Sequence, residues 1–192
     1  MRLVASIALA ILLAPLTAAQ PRSPKLVVMI VIDQMRADYV DRFGPDWTGG
    51  LKRLTTDGAV FTNAAYPYLT TITCAGHATI ATGTFPRAHG IIQNTWWDRT
   101  RGASMTCTED PNVSGVSYGA PPKVGDSAWR LERPTFTDRY RTDGHAHVVT
   151  VALKDRSAIM LAGHGADAAT WVSEPIESWT TSTAFERARC RR

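Results

Sequence analysis

Apolar residues in this chain cluster into short uninterrupted runs, with helix-like segments between them. The first run, Leu26–Ile32, has the length of a strand and no polar member, which is typical of a strand buried on both faces of a parallel sheet. Further strands are predicted at 59–61, 147–153 and 169–172, and helices at 51–56, 135–142 and 157–161. The pattern therefore predicts a sheet of buried strands with helices between them.

The segment from Thr70 to Gly83 places a hydroxyl where a helix begins. Thr73 precedes a run of small residues that ends at Gly83, so its oxygen would lie near unpaired backbone N–H groups, which favour an anion such as phosphate. The alternative is that Thr73 only caps the helix, as Ser and Thr commonly do. His77 lies one turn further along the same face, where a packing or hydrogen-bonding role is favoured over metal ligation.

Polar residues follow two of the predicted strands. Asp33 comes directly after the first strand, where a carboxylate either holds a metal or caps the next helix. Lys154 and Arg156 follow strand 147–153, where they are either surface residues or a pair of cations that grip phosphate oxygens. Asn94 lies in a polar turn, where its amide either donates to an anionic oxygen or only tolerates left-handed geometry.

One long segment shows no periodicity. Residues 99–134 contain several Pro, Gly and Ser residues and no helix-like or strand-like pattern. We therefore expect a long surface excursion, of the kind that forms lids or binding loops.

Composition and the first residues limit the class of protein. With 192 residues, of which 44% are apolar and 20% charged, the chain is long enough for one sizeable core. Residues 1–19 combine a positive start, an apolar run and a small-residue cleavage site, the features of a secretory signal peptide. A stable membrane anchor is disfavoured because the run is shorter than the ~20 residues a bilayer requires and Pro15 interrupts it. The predicted location is periplasmic or secreted.

The charge pattern bears on nucleic-acid binding, and the cysteine content limits the number of disulfides. Of the 21 basic residues four lie near the C-terminus, which leaves 17 against 17 acidic residues, and the signs alternate along the body of the chain. No basic stripe therefore indicates a nucleic-acid partner. Three cysteines, Cys74, Cys107 and Cys190, allow at most one disulfide within the chain, and the sequence leaves the pair open.

Four separated motifs resemble the secreted enzymes of the alkaline phosphatase superfamily. The resemblance is strongest to the zinc phosphomonoesterases that use threonine as nucleophile, and it extends from about residue 25 to about residue 185. The motifs are Val-Ile-Asp-Gln-Met-Arg-x-Asp-Tyr at 31–39, Thr-Ile-Thr-x-x-Gly-His at 71–77, Gly-x-x-Pro-x-x-His-Gly-x-x-x-Asn at 83–94, and Lys-Asp-Arg at 154–156.

The resemblance implies an α/β fold, a doubly wound, mostly parallel sheet with helices on both faces, and a site with two zinc ions. Asp33 and Thr73 would both touch one zinc, and Thr73 would attack phosphorus to form a phosphothreonine intermediate. Asn94, Lys154 and Arg156 would bind the non-bridging oxygens. The implied substrates are small-molecule phosphate esters. The Lys-Asp-Arg element favours monoesters, and a phosphodiesterase or nucleotide pyrophosphatase is the alternative.

The same resemblance predicts that the site is incomplete. We expect a signal peptide at 1–19, the N-terminal part of an alkaline phosphatase-like domain at 20–185, and an aberrant Arg-rich tail at 186–192 from a truncated chain. The family's further Asp and His ligands would lie beyond the matched region, so zinc binding is expected to be weak or absent and this chain alone inactive. A non-catalytic fragment is therefore a third interpretation, and the sequence leaves the oligomeric state open.

Overall fold

The computed structural model describes residues 24–117, 124–144, 146–173 and 178–185. They belong to two compact units that divide between Thr48 and Gly49. The predicted signal peptide at 1–19 and the predicted tail at 186–192 lie outside the described residues. Across the described ranges, no helix combines the length and the apolar character needed to cross a bilayer.

The first unit contains one short helix, α1 (Tyr39–Phe43), followed by a 3₁₀ turn at Gly44–Asp46. The strand predicted at Leu26–Ile32 is wrong in this structure. The segment has no strand geometry, and its side chains are exposed, Leu26 by 78% and Ile30 by 71%. A buried strand requires hydrogen-bonded neighbours and a covering layer, and among the described residues no strand pairs with this run.

The second unit contains the remaining helices and all the described strands. The helices are α2 (Gly49–Asp57), α3 (Thr73–Thr82), α4 (Pro86–His89), α5 (Phe136–Gly144) and α6 (Asp155–Ala162). The strands are β1 (Thr95–Asp98), β2 (Ala103–Thr106), β3 (Glu109–Asp110), β4 (Gly115–Ser117), β5 (Gly125–Asp126), β6 (Val149–Ala152), β7 (Ala168–Ser173) and β8 (Ser178–Ser182). A 3₁₀ turn follows at Thr183–Phe185. The strand predicted at 59–61 is wrong, because this segment is irregular and Phe61 is 82% exposed.

The main sheet has the strand order β4-β8-β7-β6. Strands β6 and β7 are parallel, because helix α6 connects them as a crossover. Strand β8 returns antiparallel to β7 after a short connection, and β4 adds antiparallel to β8. The predicted α/β class is therefore correct. In the described part of the chain the sheet is mixed and not mostly parallel.

The core lies around α6, which packs against α3 and against strands β6 and β7 of the sheet. Helix α3 is built almost entirely from small residues, so the two backbones approach closely, and Cys74, Ala75 and Ala78 are fully buried. Ile159 and Met160 of α6 are fully buried in the same core cluster. Helix α3 ends at Gly83, whose φ of +65° is the left-handed cap that the sequence predicts.

The prediction for residues 99–134 is wrong. This segment contains strands β2 to β5, and Cys107 and Thr108 within it are fully buried. Buried polar contacts and short strand pairs stabilise it in place of an apolar stripe: the Ser127 hydroxyl donates to Asp110, and β3 pairs with β5. Such contacts leave no periodic hydrophobic signal in the sequence.

Candidate functional site

Thr73 is the first residue of helix α3, and it is buried. Ile72 precedes it in extended conformation and occupies the N-cap position, so the interpretation of Thr73 as the N-cap is wrong. The backbone carbonyl of Ile72 accepts the first helical hydrogen bond, from Gly76 N at 2.8 Å. Thr73 therefore lies at the N-terminal, positive end of the helix dipole. Unpaired backbone N–H groups at such an end interact favourably with anions.

Asn94 packs directly against this first turn. Its Oδ1 accepts a hydrogen bond from the backbone N–H of Cys74 at 2.9 Å. Because the oxygen is engaged there, the Nδ2 group is the donor that an anion near Thr73 would meet. The alternative for Asn94, a left-handed turn residue, is wrong, since Gln34 is the one non-glycine residue with positive φ in the described ranges.

Lys154 and Arg156 lie on either side of the first residue of α6. Lys154 is the N-cap in extended conformation, and Arg156 is the second helical residue. The Arg156 guanidinium is partly buried, and its Nη1 is 3.4 Å from Oδ1 of Asp155. Its Nε is buried and has no hydrogen-bond partner among the described residues. Two cations at a helix N-terminus add to the positive end of the helix dipole, and the carboxylate of Asp155 between them offsets part of this charge.

Two consecutive residues, Cys107 and Thr108, connect the starts of α3 and α6. Cys107 forms a disulfide with Cys74, with the two Cα atoms 6.6 Å apart. Its backbone N–H donates to the carbonyl oxygen of Asn94 at 2.9 Å. The Thr108 hydroxyl lies 3.4 Å from Oδ2 of Asp155. The structure thus joins the Thr73–Asn94 turn to the Lys154–Arg156 turn through this bridging segment.

An acidic group lies behind the bridging segment. Asp126 accepts a hydrogen bond from the Thr108 hydroxyl at 2.8 Å. Burial and the negative charge of Asp155 raise the pKa of Asp126 to about 6, and the bond from Thr108 opposes this only in part. The pair Asp126–Thr108 gives no signal in the sequence, because its members are separated by 18 residues and neither belongs to a recognisable motif.

The two histidines nearest α3 have structural roles. His77 is buried, and its Nδ1 is 2.8 Å from the carbonyl oxygen of Thr73, which confirms the predicted packing and hydrogen-bonding role. His89 is fully buried between the backbone N–H of Ile91, which donates to Nδ1, and the hydroxyl of Thr79, 3.1 Å from Nε2. Burial lowers the pKa of His89, so the ring is neutral and joins α4 to α3.

The described residues do not provide a metal centre. Asp33 is exposed in the first unit, and Thr73 belongs to the second unit. Within the described ranges, no group of three or more His, Cys, Asp or Glu residues is placed to hold a metal ion. Catalytic zinc usually has three protein ligands and structural zinc four, so two oxygen donors do not fit a zinc site.

A separate cavity of about 480 Å³ lies beside an Asp–His pair and is lined by none of the predicted site residues. His164 Nδ1 is 3.0 Å from Asp138 Oδ2, and His164 Nε2 is 2.8 Å from the carbonyl oxygen of Leu131. Asp138 also accepts from the backbone N–H and hydroxyl of Thr135. Both ring nitrogens face acceptors, so His164 joins helix α5, through Asp138, to the segment around Leu131.

Comparison with known proteins points to one family. A sequence model described as type I phosphodiesterase / nucleotide pyrophosphatase matches residues 27–190. The alkaline phosphatase PafA of Elizabethkingia meningoseptica is 38% identical over 174 residues, which cover 89% of this chain and 32% of that protein. The alkaline phosphatase PhoV of Synechococcus elongatus is 41% identical over 165 residues, 84% of this chain and 30% of that protein.

A solved structure shows the same fold. The crystal structure of wild-type PafA superposes with a TM-score of 0.76 and 37% identity, covering 82% of this chain and 31% of PafA. The predicted alkaline phosphatase-like α/β fold is therefore confirmed. The chain spans about a third of the length of the curated relatives that it matches.

Proposed function

The chain belongs to the type I phosphodiesterase / nucleotide pyrophosphatase family, and from that premise we propose that it carries the nucleophile and the phosphate-binding half of an alkaline phosphatase-type phosphomonoesterase. The observation that supports this most strongly is the contact of Asn94 Oδ1 with Cys74 N, directly beside Thr73. It aims a side-chain amide at the start of a helix where an anion is favoured.

The proposed reaction begins with attack by the Thr73 oxygen on phosphorus. A new Oγ–P bond forms and the Oγ–H proton of Thr73 passes to solvent, while the bond from phosphorus to the ester oxygen breaks. The leaving oxygen takes a proton from solvent and departs as the alcohol. Asn94, Lys154 and Arg156 bind the non-bridging oxygens, where negative charge develops in the transition state. Water then cleaves the phosphothreonine and releases inorganic phosphate and the free hydroxyl.

Zinc is the proposed metal of the complete family site, with Asp33 and Thr73 as ligands to one ion. We propose that this chain alone binds zinc weakly and has little or no activity, because two oxygen donors hold zinc poorly. The test is hydrolysis of nitrophenyl phosphate by the purified chain with added zinc. Turnover that requires zinc and is lost in Thr73→Ala would contradict this part of the proposal.

Phosphate monoesters are the proposed substrates. A monoester carries one more negative charge than a diester, and Lys154 and Arg156 place two cations at one helix start. The alternative substrate class is a diester or nucleotide pyrophosphate, which the description of the matching family favours. A periplasmic or secreted location is also proposed, and the Cys74–Cys107 disulfide supports an oxidising compartment. A non-catalytic role of the chain is the remaining alternative.

Calorimetric titration of the 192-residue chain with inorganic phosphate tests the proposed site. We expect saturable binding, weakened at least about tenfold in Arg156→Ala and in Lys154→Ala, because each variant loses a charge-assisted hydrogen bond. Lys52→Ala removes an exposed lysine of α2 and serves as the control. Equal affinity in all four proteins would contradict the proposal.

The substrate class is tested with two ligands that share a leaving group. Nitrophenyl phosphate should compete with inorganic phosphate more strongly than bis-nitrophenyl phosphate does. A stronger competition by the diester would instead favour the phosphodiesterase alternative.

A further inference from the structure

We propose that Thr108 is a positioning residue of the phosphate site: its buried hydroxyl, held between two carboxylates, orients Asp155 and through it the guanidinium of Arg156. The inference rests on the proposed function of Arg156 as a phosphate ligand. Thr108 is not a catalytic residue, since it acts through Asp155.

The position of Thr108 is itself fixed by its surroundings. The residue is fully buried, and its carbonyl oxygen accepts a hydrogen bond from Ser127 N at 2.8 Å. Its hydroxyl is 2.8 Å from Asp126 Oδ1, and the carbonyl oxygen of Asp126 accepts from the hydroxyl of Ser182 on strand β8. The Thr108 hydroxyl is therefore connected to strand β8 through Asp126, and it contacts Asp155 at the start of α6.

Asp155 contacts both the Thr108 hydroxyl and the Arg156 guanidinium. One carboxylate oxygen, Oδ2, faces the Thr108 hydroxyl at 3.4 Å, and the other, Oδ1, faces Arg156 Nη1 at 3.4 Å. The Arg156 Nε is buried without a hydrogen-bond partner in the described part of the chain. Rotation of the Asp155 carboxylate would therefore change the orientation of the guanidinium, and the Thr108 hydroxyl limits that rotation.

The single hydroxyl hydrogen of Thr108 faces two carboxylate acceptors, Asp126 and Asp155, and the Thr106 hydroxyl lies 3.5 Å from the same oxygen. The hydrogen's direction therefore depends on the protonation state of Asp126. With Asp126 ionised, the shorter distance of 2.8 Å directs the hydrogen to Asp126. When Asp126 is protonated, its own O–H can donate to the Thr108 oxygen, and the threonine hydrogen then turns to Asp155. Burial raises the pKa of Asp126 to about 6, and the acidic groups Asp155, Glu109 and Asp110 act in the same direction. The cation Arg156 faces the opposite oxygen of Asp155.

The test compares Thr108→Val, which removes the hydroxyl at nearly constant volume, with Thr108→Ser, which retains it. By titration with inorganic phosphate, we expect the valine variant to bind about tenfold more weakly and the serine variant to stay within about twofold of the parent protein. In an Arg156→Ala background, Thr108→Val should cause no further loss, because the two residues act through one contact. Equal affinities of the valine variant and the parent protein would overturn the inference.

A matched control separates positioning from stability. Thr137 is a buried threonine whose hydroxyl donates to the carbonyl oxygens of Leu161 and Ala162, at the other end of α6. Thr137→Val should therefore lower the melting temperature as Thr108→Val does, with phosphate affinity unchanged. If both variants weaken phosphate binding equally, the effect is a general loss of helix order, and the positioning role is wrong.

A second variant provides a readout that a purely structural role would not change. Asp126→Asn keeps an acceptor for Thr108 and cannot ionise. With sulfate as the probe, whose charge is constant around this pH, the parent protein should bind more tightly below pH 6 than above it, and Asp126→Asn should lose this dependence. Loss of the Asp126 charge would by itself favour an anion, so the dependence should also weaken in Thr108→Val, which keeps Asp126 ionisable. A dependence that is unchanged in Thr108→Val would be a direct charge effect and would contradict the positioning role. A pH dependence that persists in Asp126→Asn would contradict the assignment.

The Arg156 Nε–H signal in a nitrogen-15 NMR spectrum distinguishes this inference from the proposed function. If the parent protein binds no phosphate, the proposed function is wrong, and Thr108→Val should still shift this signal while Thr137→Val does not. If phosphate binds and the signal is unchanged in Thr108→Val, the proposed function stands and the positioning role is wrong.

Discussion

Two substitutions at Asn94 separate its structural contact from its proposed role in anion binding. Asn94→Ala removes the acceptor that satisfies Cys74 N at the start of α3, and the amide N–H donor with it. Asn94→Asp retains an acceptor of the same shape and replaces the donor by a negative charge. If Asn94 only caps the helix, the aspartate variant should be harmless. If it binds phosphate, the variant should be defective.

The magnitudes follow from the contacts. Loss of a side-chain acceptor at a helix N-terminus costs about 1 kcal/mol of unfolding free energy, which lowers the melting temperature of a protein of this size by about 2–4 °C. A carboxylate at the same place accepts the Cys74 N–H and interacts favourably with the helix dipole, by about 0.3–1 kcal/mol. We therefore expect Asn94→Ala to be less stable than the parent protein, and Asn94→Asp to be at least as stable.

Phosphate affinity should follow a different order. Both variants lose a hydrogen-bond donor, which costs about tenfold in affinity when the acceptor is charged. Asn94→Asp also places two negative groups near each other, and unit charges about 4 Å apart repel by about 1–4 kcal/mol between water and a protein surface. The aspartate variant should therefore bind phosphate most weakly, although it is at least as stable as the parent protein.

The assay combines thermal unfolding without phosphate and calorimetric titration with phosphate on the same three proteins. Parent-like phosphate affinity in Asn94→Asp would refute the role of Asn94 in anion binding. Parent-like stability in Asn94→Ala would refute the structural contact with Cys74.

The remaining predictions concern stability. The hydrogen bond to Asp138 raises the pKa of His164, so the contribution of His164 to the free energy of unfolding is fully present below the unfolded-state pKa of about 6.5 and is lost as pH rises through the higher folded-state pKa. Chemical denaturation across neutral pH should show this loss of stability, and His164→Gln should abolish the pH dependence. Burial raises the pKa of Asp138, but hydrogen bonds from His164 and Thr135 outweigh it and lower this pKa to about 2. The contribution of Asp138 to the free energy of unfolding is therefore present above about pH 4 and is lost as pH falls towards 2. Asp138→Asn is the control, and its stability should not change over this pH range. Cys107→Ser should lower the free energy of unfolding, measured by urea denaturation, by about 3–4 kcal/mol, because the disulfide closes a loop between residues separated by 33 positions. If a reductant leaves the stability of the parent protein unchanged, this prediction is contradicted. Gly163→Ala should destabilise the fold by more than about 1 kcal/mol, because φ is +68° and a Cβ would collide with Thr135 and Asp138. At Gly165 a Cβ would meet Arg141 and Asp138 only at ordinary van der Waals distances of 3.7 and 3.9 Å, so Gly165→Ala should be nearly neutral.

The sequence predicts the local elements well where the signal is local. The small-residue run ending at Gly83 forms helix α3, and the helix predicted at 157–161 forms within α6, both near the expected positions. Each of these depends on residues a few positions apart, such as a glycine cap and a run of helix-forming side chains. The placement of Thr73 at a helix start is therefore available from the sequence.

What the sequence does not provide is the pairing of distant residues. The run Leu26–Ile32 has the composition of a buried strand, but composition does not supply a neighbouring strand, and the run is exposed here. The partner of Cys74 is 33 residues away, and three cysteines leave the choice open. Thr108 and Asp126 belong to no recognisable motif, so their hydrogen bond could not be predicted from the sequence. The roles of Asp33, Thr73, Asn94, Lys154 and Arg156 in phosphate chemistry remain predictions.

The central claim is that Thr73, Asn94, Lys154 and Arg156 form one phosphate site at the two joined helix starts. It is tested most directly by following backbone amide signals during titration with inorganic phosphate. We predict that the amides of 73–75 and of 154–156 shift together and yield a single dissociation constant. Shifts confined to one helix start, different constants for the two, or shifts only around Asp138 and His164 would contradict the claim.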